Sequence, residues 1–179
     1  MTSPTSSPAR HAFAQSTVCA IASSMCQRGC QPRRALMREE SSFRNPASTR
    51  PYQHVLEPLS AYLRIAHAQA SEAELAGSYN VGPTDSDCVT TGELAELFCR
   101  TWGEGASWRA EEECAAPHEA GFLKLDSSRI KARLGWQPRW HIEEAIAHTV
   151  DWAKAWRAGE DVGDVMEAQI AAYFKEAEA

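Results

Sequence analysis

Ile142, Ala145, Ile146, Thr149, Val150, Ala153 and Trp156 recur at intervals of three and four, the spacing that sets side chains on one face of an α-helix. Gly159 marks the end of that stripe. A stripe so long must be covered by other elements, so the search is for partners. Two more helical stripes stand upstream. Leu56, Leu59, Tyr62, Leu63 and Ala66 line a helix over 56–69, and Pro58 fits there only in the first turn, where its missing N–H costs nothing. In "TTGELAELFCRTWG", Thr90 and Glu93 make a capping box, Leu94, Leu97, Phe98 and Trp102 share a face, and Gly103 stops the helix. Asp126 caps a shorter helix to about Leu134, ended by Gly135. Asp164 caps a last one carrying Met166, Ile170 and Phe174. Strand signals are few and short: "SYNVGP" at 78–83, "ASWRAE" and "FLKL". No repeat occurs. The resulting string is mainly helical and lacks the strand–crossover–strand alternation of a complete doubly wound sheet.

Charge divides the chain. Residues 1–38 hold five arginines and no carboxylate, whereas all 24 acids fall from Glu39 onward. With its Ser, Thr, Pro and Cys content, the head reads as a separate segment, 1–34, ahead of a domain spanning 35–179. Its composition fits a disordered or incidental terminus. An organelle-targeting segment would also be rich in Arg and Ser and poor in acids. A metal site from Cys19, Cys26 and Cys30 is disfavoured, since Cys26-x3-Cys30 has no second pair at a set distance. Cys88, Cys99 and Cys114 are scattered, with Cys99 on the apolar side of its helix. A reducing, cytoplasmic setting is therefore expected. The net charge of −6 argues against nucleic acid as a partner, and no apolar run is long enough to span a bilayer.

Several chemistries have no motif to carry them. The sequence contains no G-x-G-x-x-G or G-x-x-G-x-x-G, no P-loop, no G-x-S-x-G and no H-E-x-x-H. None of Tyr52, Tyr62, Tyr79 and Tyr173 has a lysine four residues on. No metal ligand set and no catalytic residue can be placed. What remains is polar capacity at the edges of elements. An arginine, an aromatic, a glutamine and a histidine crowd "RPYQH", directly before a helix. Arg50 precedes Pro51, which pushes its backbone toward extended geometry and makes it a fixed strut. A guanidinium there can grip a phosphate with two N–H groups, or pair with a surface carboxylate. Tyr52 reads as a core residue. His54 is either a site residue or a brace for the loop. His118 and Glu119, in "APHEAG", lie between two strand signals and are the remaining candidates for ligand contact.

These residues carry a resemblance. "RNPASTRPYQHVLEPLSAYL", "GSYNVGP", "WGEGASW", "PHEAGFLKLDSSRIKARLGWQPRW" and "EEAIAHTVDWAKAW" resemble the C-terminal part of the bacterial CDP-glucose 4,6-dehydratases. Those are nucleotide-sugar enzymes among the extended short-chain dehydrogenases/reductases. The likeness runs from about residue 35 to 174. It implies a Rossmann-type α/β family, of which this chain is the substrate-binding part. It also implies that Arg50 faces the diphosphate of CDP-glucose, with His54 leading into the following helix and His118 and Glu119 on the nucleotide side. In that family an N-terminal domain holds NAD on a glycine-rich loop and supplies the Tyr and Lys of Y-x-x-x-K. Hydride leaves sugar C4 for NAD, water is eliminated across C5 and C6, and the hydride returns to C6. None of that machinery has a counterpart here. The expectation is a chain that binds no NAD and is inactive alone, or a binding or assembly module that completes a separate Rossmann chain. Its stripes carry more apolar surface than a few short strands can cover, so self-association through exposed apolar surface is expected as well.

Overall fold

The structure is a computed structural model that describes residues 40–43, 45–110 and 121–175. In chain order the elements are β1 (Glu40–Phe43), α1 (Leu56–Ser71), α2 (Thr91–Trp102), β2 (Ser107–Ala110), α3 (Ser128–Leu134), α4 (Ile142–Ala158) and α5 (Val162–Lys175). Short 3-10 turns at Ala73–Leu75 and Asp85–Asp87 interrupt the connections. Among the described residues the chain is mainly helical, with one sheet of two parallel strands in which Glu40 pairs Ser107 and Phe43 pairs Ala110. The head, 1–34, lies outside the described residues. So do the loop holding His118 and Glu119 and the cysteines at 19, 26, 30 and 114.

Local signals account for the helices. At the start of α2 both arms of the capping box form: the Glu93 N–H donates to Thr90 Oγ1 at 3.1 Å, and the Thr90 N–H donates to Glu93 Oε2 at 2.7 Å. Such a cap stabilises a helix by about 1 kcal/mol. Gly135 and Gly159 end α3 and α4 with φ of 59° and 80°, a conformation in which a Cβ would be strained. At α3 the Asp126 carboxylate accepts the Ser128 N–H at 2.9 Å from just ahead of the first turn, while Ser127 occupies the cap position.

Two apolar clusters organise the packing. Tyr52, Leu94, Ile142, Ile146 and Val150 form one between α2 and α4, with Val89, Leu97, Phe98 and Trp102 against it. Ala61, Ile130, Leu134 and Trp136 form the other between α1 and α3. Full burial of a side chain such as Ile146 or Ile130 stabilises the fold by roughly 1.5–3 kcal/mol.

Four sequence expectations need correction. Asp164 does not cap the last helix, because α5 begins at Val162 and Asp164 lies within its first turn, while Asp161 accepts the Gly163 N–H. Segment 78–83 forms no strand, because side chains take its carbonyls: Gln53 Nε2 donates to Val81 O and Ser127 Oγ to Gly82 O. "FLKL" contributes a single bridge, Phe122 to Thr49. The leucine stripe of α1 points the wrong way. Its inward face is Glu57 and Ala61, both fully buried, followed by Ile65 and Ala68. Leu59 and Leu63 stand 39% and 65% exposed. In α5, likewise, Tyr173 is fully buried while Met166, Ile170 and Phe174 lie on the exposed side.

Candidate ligand-binding junction

The chain enters the junction through Asn45, whose φ of 50° turns it so that the Ser48 N–H meets Asn45 O. Residues 48–50 then run between two segments. On one side Arg50 N donates to Val89 O and Thr91 N to Ser48 O. On the other, Thr49 N donates to Gly121 O and Leu123 N to Thr49 O at 3.1 Å. Thr49 is thereby bridged to both Thr90 and Phe122. Pro51 has no N–H to donate, so the ladder ends there and the chain turns toward α1. The half-buried Arg50 donates from Nη1 to Thr49 O at 2.9 Å, which holds its guanidinium beside this three-segment seam.

Behind the seam the polar side chains are buried. The Tyr52 hydroxyl lies 2.8 Å from Thr91 Oγ1, which in turn lies 3.0 Å from Ser48 Oγ. These contacts tie the seam to the first turn of α2. Tyr52 is at once a member of the larger apolar cluster and a hydroxyl partner. Gln53 is buried and donates to Val81 O at 3.2 Å. Among the described residues its Oε1 has no hydrogen-bond partner.

His54 belongs to the interior, whereas Arg50 is half-buried. The His54 Nδ1 accepts the Leu56 N–H, and its ring packs edge-on against Trp140 with centroids 4.8 Å apart. His148 stacks on the other side of Trp140 at 3.9 Å. Burial, and then the nearby His148, push the His54 pKa down to about 4, so the imidazole is neutral at physiological pH. Of the two candidates four residues apart, His54 is thus a buried, neutral brace and Arg50 is the more accessible.

Further along the seam, Lys124 Nζ reaches Asp85 Oδ1 at 3.5 Å and lies 5.7 Å from the centroid of the exposed Phe122 ring. Beyond it, Asp87 is buried and accepts from the Ile142 N–H and from His141 Nδ1, tying the 81–90 segment to the start of α4. Sequence reading singled out neither Asp87 nor Glu57. The side-chain partners of Glu57 all lie more than eighty positions away, and those of Asp87, apart from nearby Thr84, more than fifty away. Among the described residues no group of His, Cys, Asp or Glu is placed to hold a metal ion, and no helix is long and apolar enough to cross a membrane.

Comparison with known proteins bears on the whole of this region. No family model matches the chain. A CDP-glucose 4,6-dehydratase from Salmonella typhimurium strain LT2 is 43% identical over 133 residues, which is 74% of this chain and 37% of that protein. The resemblance read from the motifs holds. The chain is thus similar to a CDP-glucose 4,6-dehydratase over most of its own length, and spans well under half the length of that relative. The junction built on "RPYQHVLEPL" is one of the strings that carried the likeness.

Proposed function

We propose that this chain is the substrate-side part of a CDP-glucose 4,6-dehydratase-like enzyme of Rossmann type, working in the cytoplasm. The observation that carries this is the seam at residues 48–50, which holds Arg50 to Val89 on one side and its neighbour Thr49 to Gly121 and Leu123 on the other, inside the region similar to the dehydratase. In this reading Arg50 meets the diphosphate of CDP-glucose. His54 supports it indirectly by bracing the turn into α1, and His118 and Glu119 contact the nucleotide. The sequence has no glycine-rich strand-to-helix turn to cradle a pyrophosphate and no Y-x-x-x-K, so its residues do not fit NAD and no hydride step is assigned to them. By itself the chain binds the nucleotide weakly and does not dehydrate the sugar.

An Arg–phosphate pair contributes roughly 1.5–3 kcal/mol where it is partly enclosed. Half an enclosure gives less, and affinity on the order of millimolar is expected. Titration of CDP followed by NMR tests the assignment. Arg50→Ala should abolish the shifts, and Arg50→Lys should restore little, because an ammonium cannot reproduce the two-pronged contact. Arg64→Ala, on the exposed side of α1, should leave them unchanged. Arg50→Ala binding as well as the parent would remove Arg50 from the site. A keto-sugar product from the purified chain with NAD and CDP-glucose would overturn the claim of inactivity.

A second reading has its own support. Leu59 and Leu63 on α1, and Met166, Ile170 and Phe174 on α5, are large apolar side chains left exposed. Such surface favours a module that packs against a separately supplied nucleotide-binding domain, or against itself when that domain is absent. Sedimentation of the chain alone over a range of concentrations tests this, and a monomer throughout would count against it.

A further inference from the structure

Glu57 is fully buried at the start of α1, yet no cation forms an ion pair with it among the described residues. Its Oε1 accepts the N–H groups of Arg139 at 3.1 Å and Trp140 at 2.9 Å. Its Oε2 lies 2.8 Å from the Tyr173 hydroxyl, which is itself 2.9 Å from Ser60 Oγ. Ser60 Oγ also receives Trp136 Nε1–H at 3.0 Å and lies 2.8 Å from Glu57 O. Three elements therefore meet at one carboxyl group: α1, the connection into α4, and α5.

Counting hydrogens along this chain of contacts decides its protonation. Four contacts link Trp136, Ser60, Tyr173 and the two Glu57 oxygens outside the backbone pair. Each needs one hydrogen. The Trp136 N–H, the Ser60 hydroxyl and the Tyr173 hydroxyl supply three. An ionised Glu57 leaves one short contact between two oxygens with no hydrogen in it. We propose that Glu57 carries a proton in the folded chain, and that this proton is part of the latch holding α5 in place. Oε2–H then donates to the Tyr173 oxygen, Tyr173 donates to Ser60, and Ser60 donates to Glu57 O. Trp136 fills the second acceptor site of Ser60, while Oε1 keeps both backbone N–H groups. Every contact has one hydrogen and no atom exceeds its capacity.

The surroundings agree. Burial raises the Glu57 carboxyl above its ordinary value, and that effect outweighs the Trp140 N–H, the Tyr173 hydroxyl, the Arg139 N–H and the Arg139 guanidinium, which all favour the ionised form. Of these, Tyr173 and Arg139 are the titratable or charged groups facing it among the described residues. Arg139 itself is turned to Tyr173 O at 2.7 Å and over the Tyr173 ring. Because the folded value lies above the unfolded one, the proton stabilises the docked state fully below the unfolded value. The contribution is lost as pH rises through the folded value. Raising pH should thus loosen α5, whose other side-chain tie to α4 is Gln169 Nε2 to His148 O.

Infrared spectroscopy of the full chain at neutral pH gives the direct test. A carbonyl stretch of a protonated carboxylic acid, absent in Glu57→Gln, is expected; a spectrum with carboxylate bands alone would overturn the proposal. Hydrogen exchange across α5 supplies an independent one. In the parent, protection of α5 amides should fall with rising pH by more than intrinsic exchange chemistry accounts for. In Glu57→Gln, whose amide donates to Tyr173 as the acid does, that excess should vanish. An excess that persists in Glu57→Gln would overturn the link to α5.

Discussion

Asp87→Ala should be the most damaging single change outside the apolar clusters. The carboxylate is buried and accepts the Ile142 N–H at 3.2 Å, one of the first-turn donors of α4 that has no partner within the helix. It also accepts from His141 Nδ1 at 3.0 Å and from the Thr84 hydroxyl. Losing a helix cap costs about 1 kcal/mol, and leaving a buried donor without its charged acceptor costs about 1.5–3 kcal/mol. The His141 contact adds little, because that side chain is 63% exposed and water can replace it. A loss of roughly 2–3 kcal/mol follows, equivalent to a Tm lower by about 5–10 °C for a chain of this size. Asp87→Asn keeps an acceptor for Ile142 and should lose about half as much. The hydrogen bond to Asp87, then its charge, raise the His141 pKa, so its contribution is complete below the unfolded value and disappears as pH rises through the folded one. The deficit of Asp87→Ala, read from thermal melts by circular dichroism, should therefore be larger near pH 6 than near pH 8.5. A deficit under 1 °C, or one that grows with pH, would refute the reasoning.

Other outcomes follow from single features. His54, held down to about 4, makes the fold lose stability as pH falls from the unfolded value of 6.5, by up to ~3 kcal/mol once pH has fallen through the folded value. His54→Asn, which keeps an acceptor beside the Leu56 N–H, should flatten that acid-side slope in urea titrations, and an unchanged slope would point elsewhere. Leu63→Ser removes exposed apolar surface, so it should reduce binding of a hydrophobic dye while changing stability by less than about 0.5 kcal/mol. Thr90→Ala removes the hydroxyl arm of the α2 capping box, leaving the backbone N–H of residue 90 to Glu93, and should cost about 1 kcal/mol in denaturant unfolding.

Which features were legible in the sequence follows from the range of the forces involved. The α2 capping box, the glycines closing α3 and α4, and the Ile142–Trp156 stripe are local, and all appear where their spacing places them. Strands depend on partners that no window contains. Residues 78–83 have strand-like chemistry, yet Gln53 and Ser127 take their carbonyls, while "ESSF" at 40–43, which offers little pattern, pairs with 107–110. The same limit hid Asp87, whose partners sit at 84, 141 and 142.

The first helix shows a subtler limit. Hydrophobic periodicity assumes that the apolar face is the covered one. α1 has two faces able to be buried, and the more hydrophobic of them, with Leu59 and Leu63, is left exposed. The face that packs carries small Ala61, with room for Trp136 and the Tyr173 ring nearby, and a glutamate whose carboxyl group meets two backbone N–H groups and the Tyr173 hydroxyl. That choice makes sense if the leucine face has another use. A glutamate placed on a covered face, with its polar atoms satisfied, leaves the leucines available for a surface that the described residues do not provide. The exposed stripe of α5 repeats the arrangement, with the polar Tyr173 hydroxyl inside and Ile170 outside. Two helices that bury a polar latch and present apolar side chains outward are the feature that the sedimentation experiment, run with Leu63→Ser beside the parent, reads directly: weaker self-association in the variant is expected, and equal behaviour of the two would rule out the leucine face as the contact.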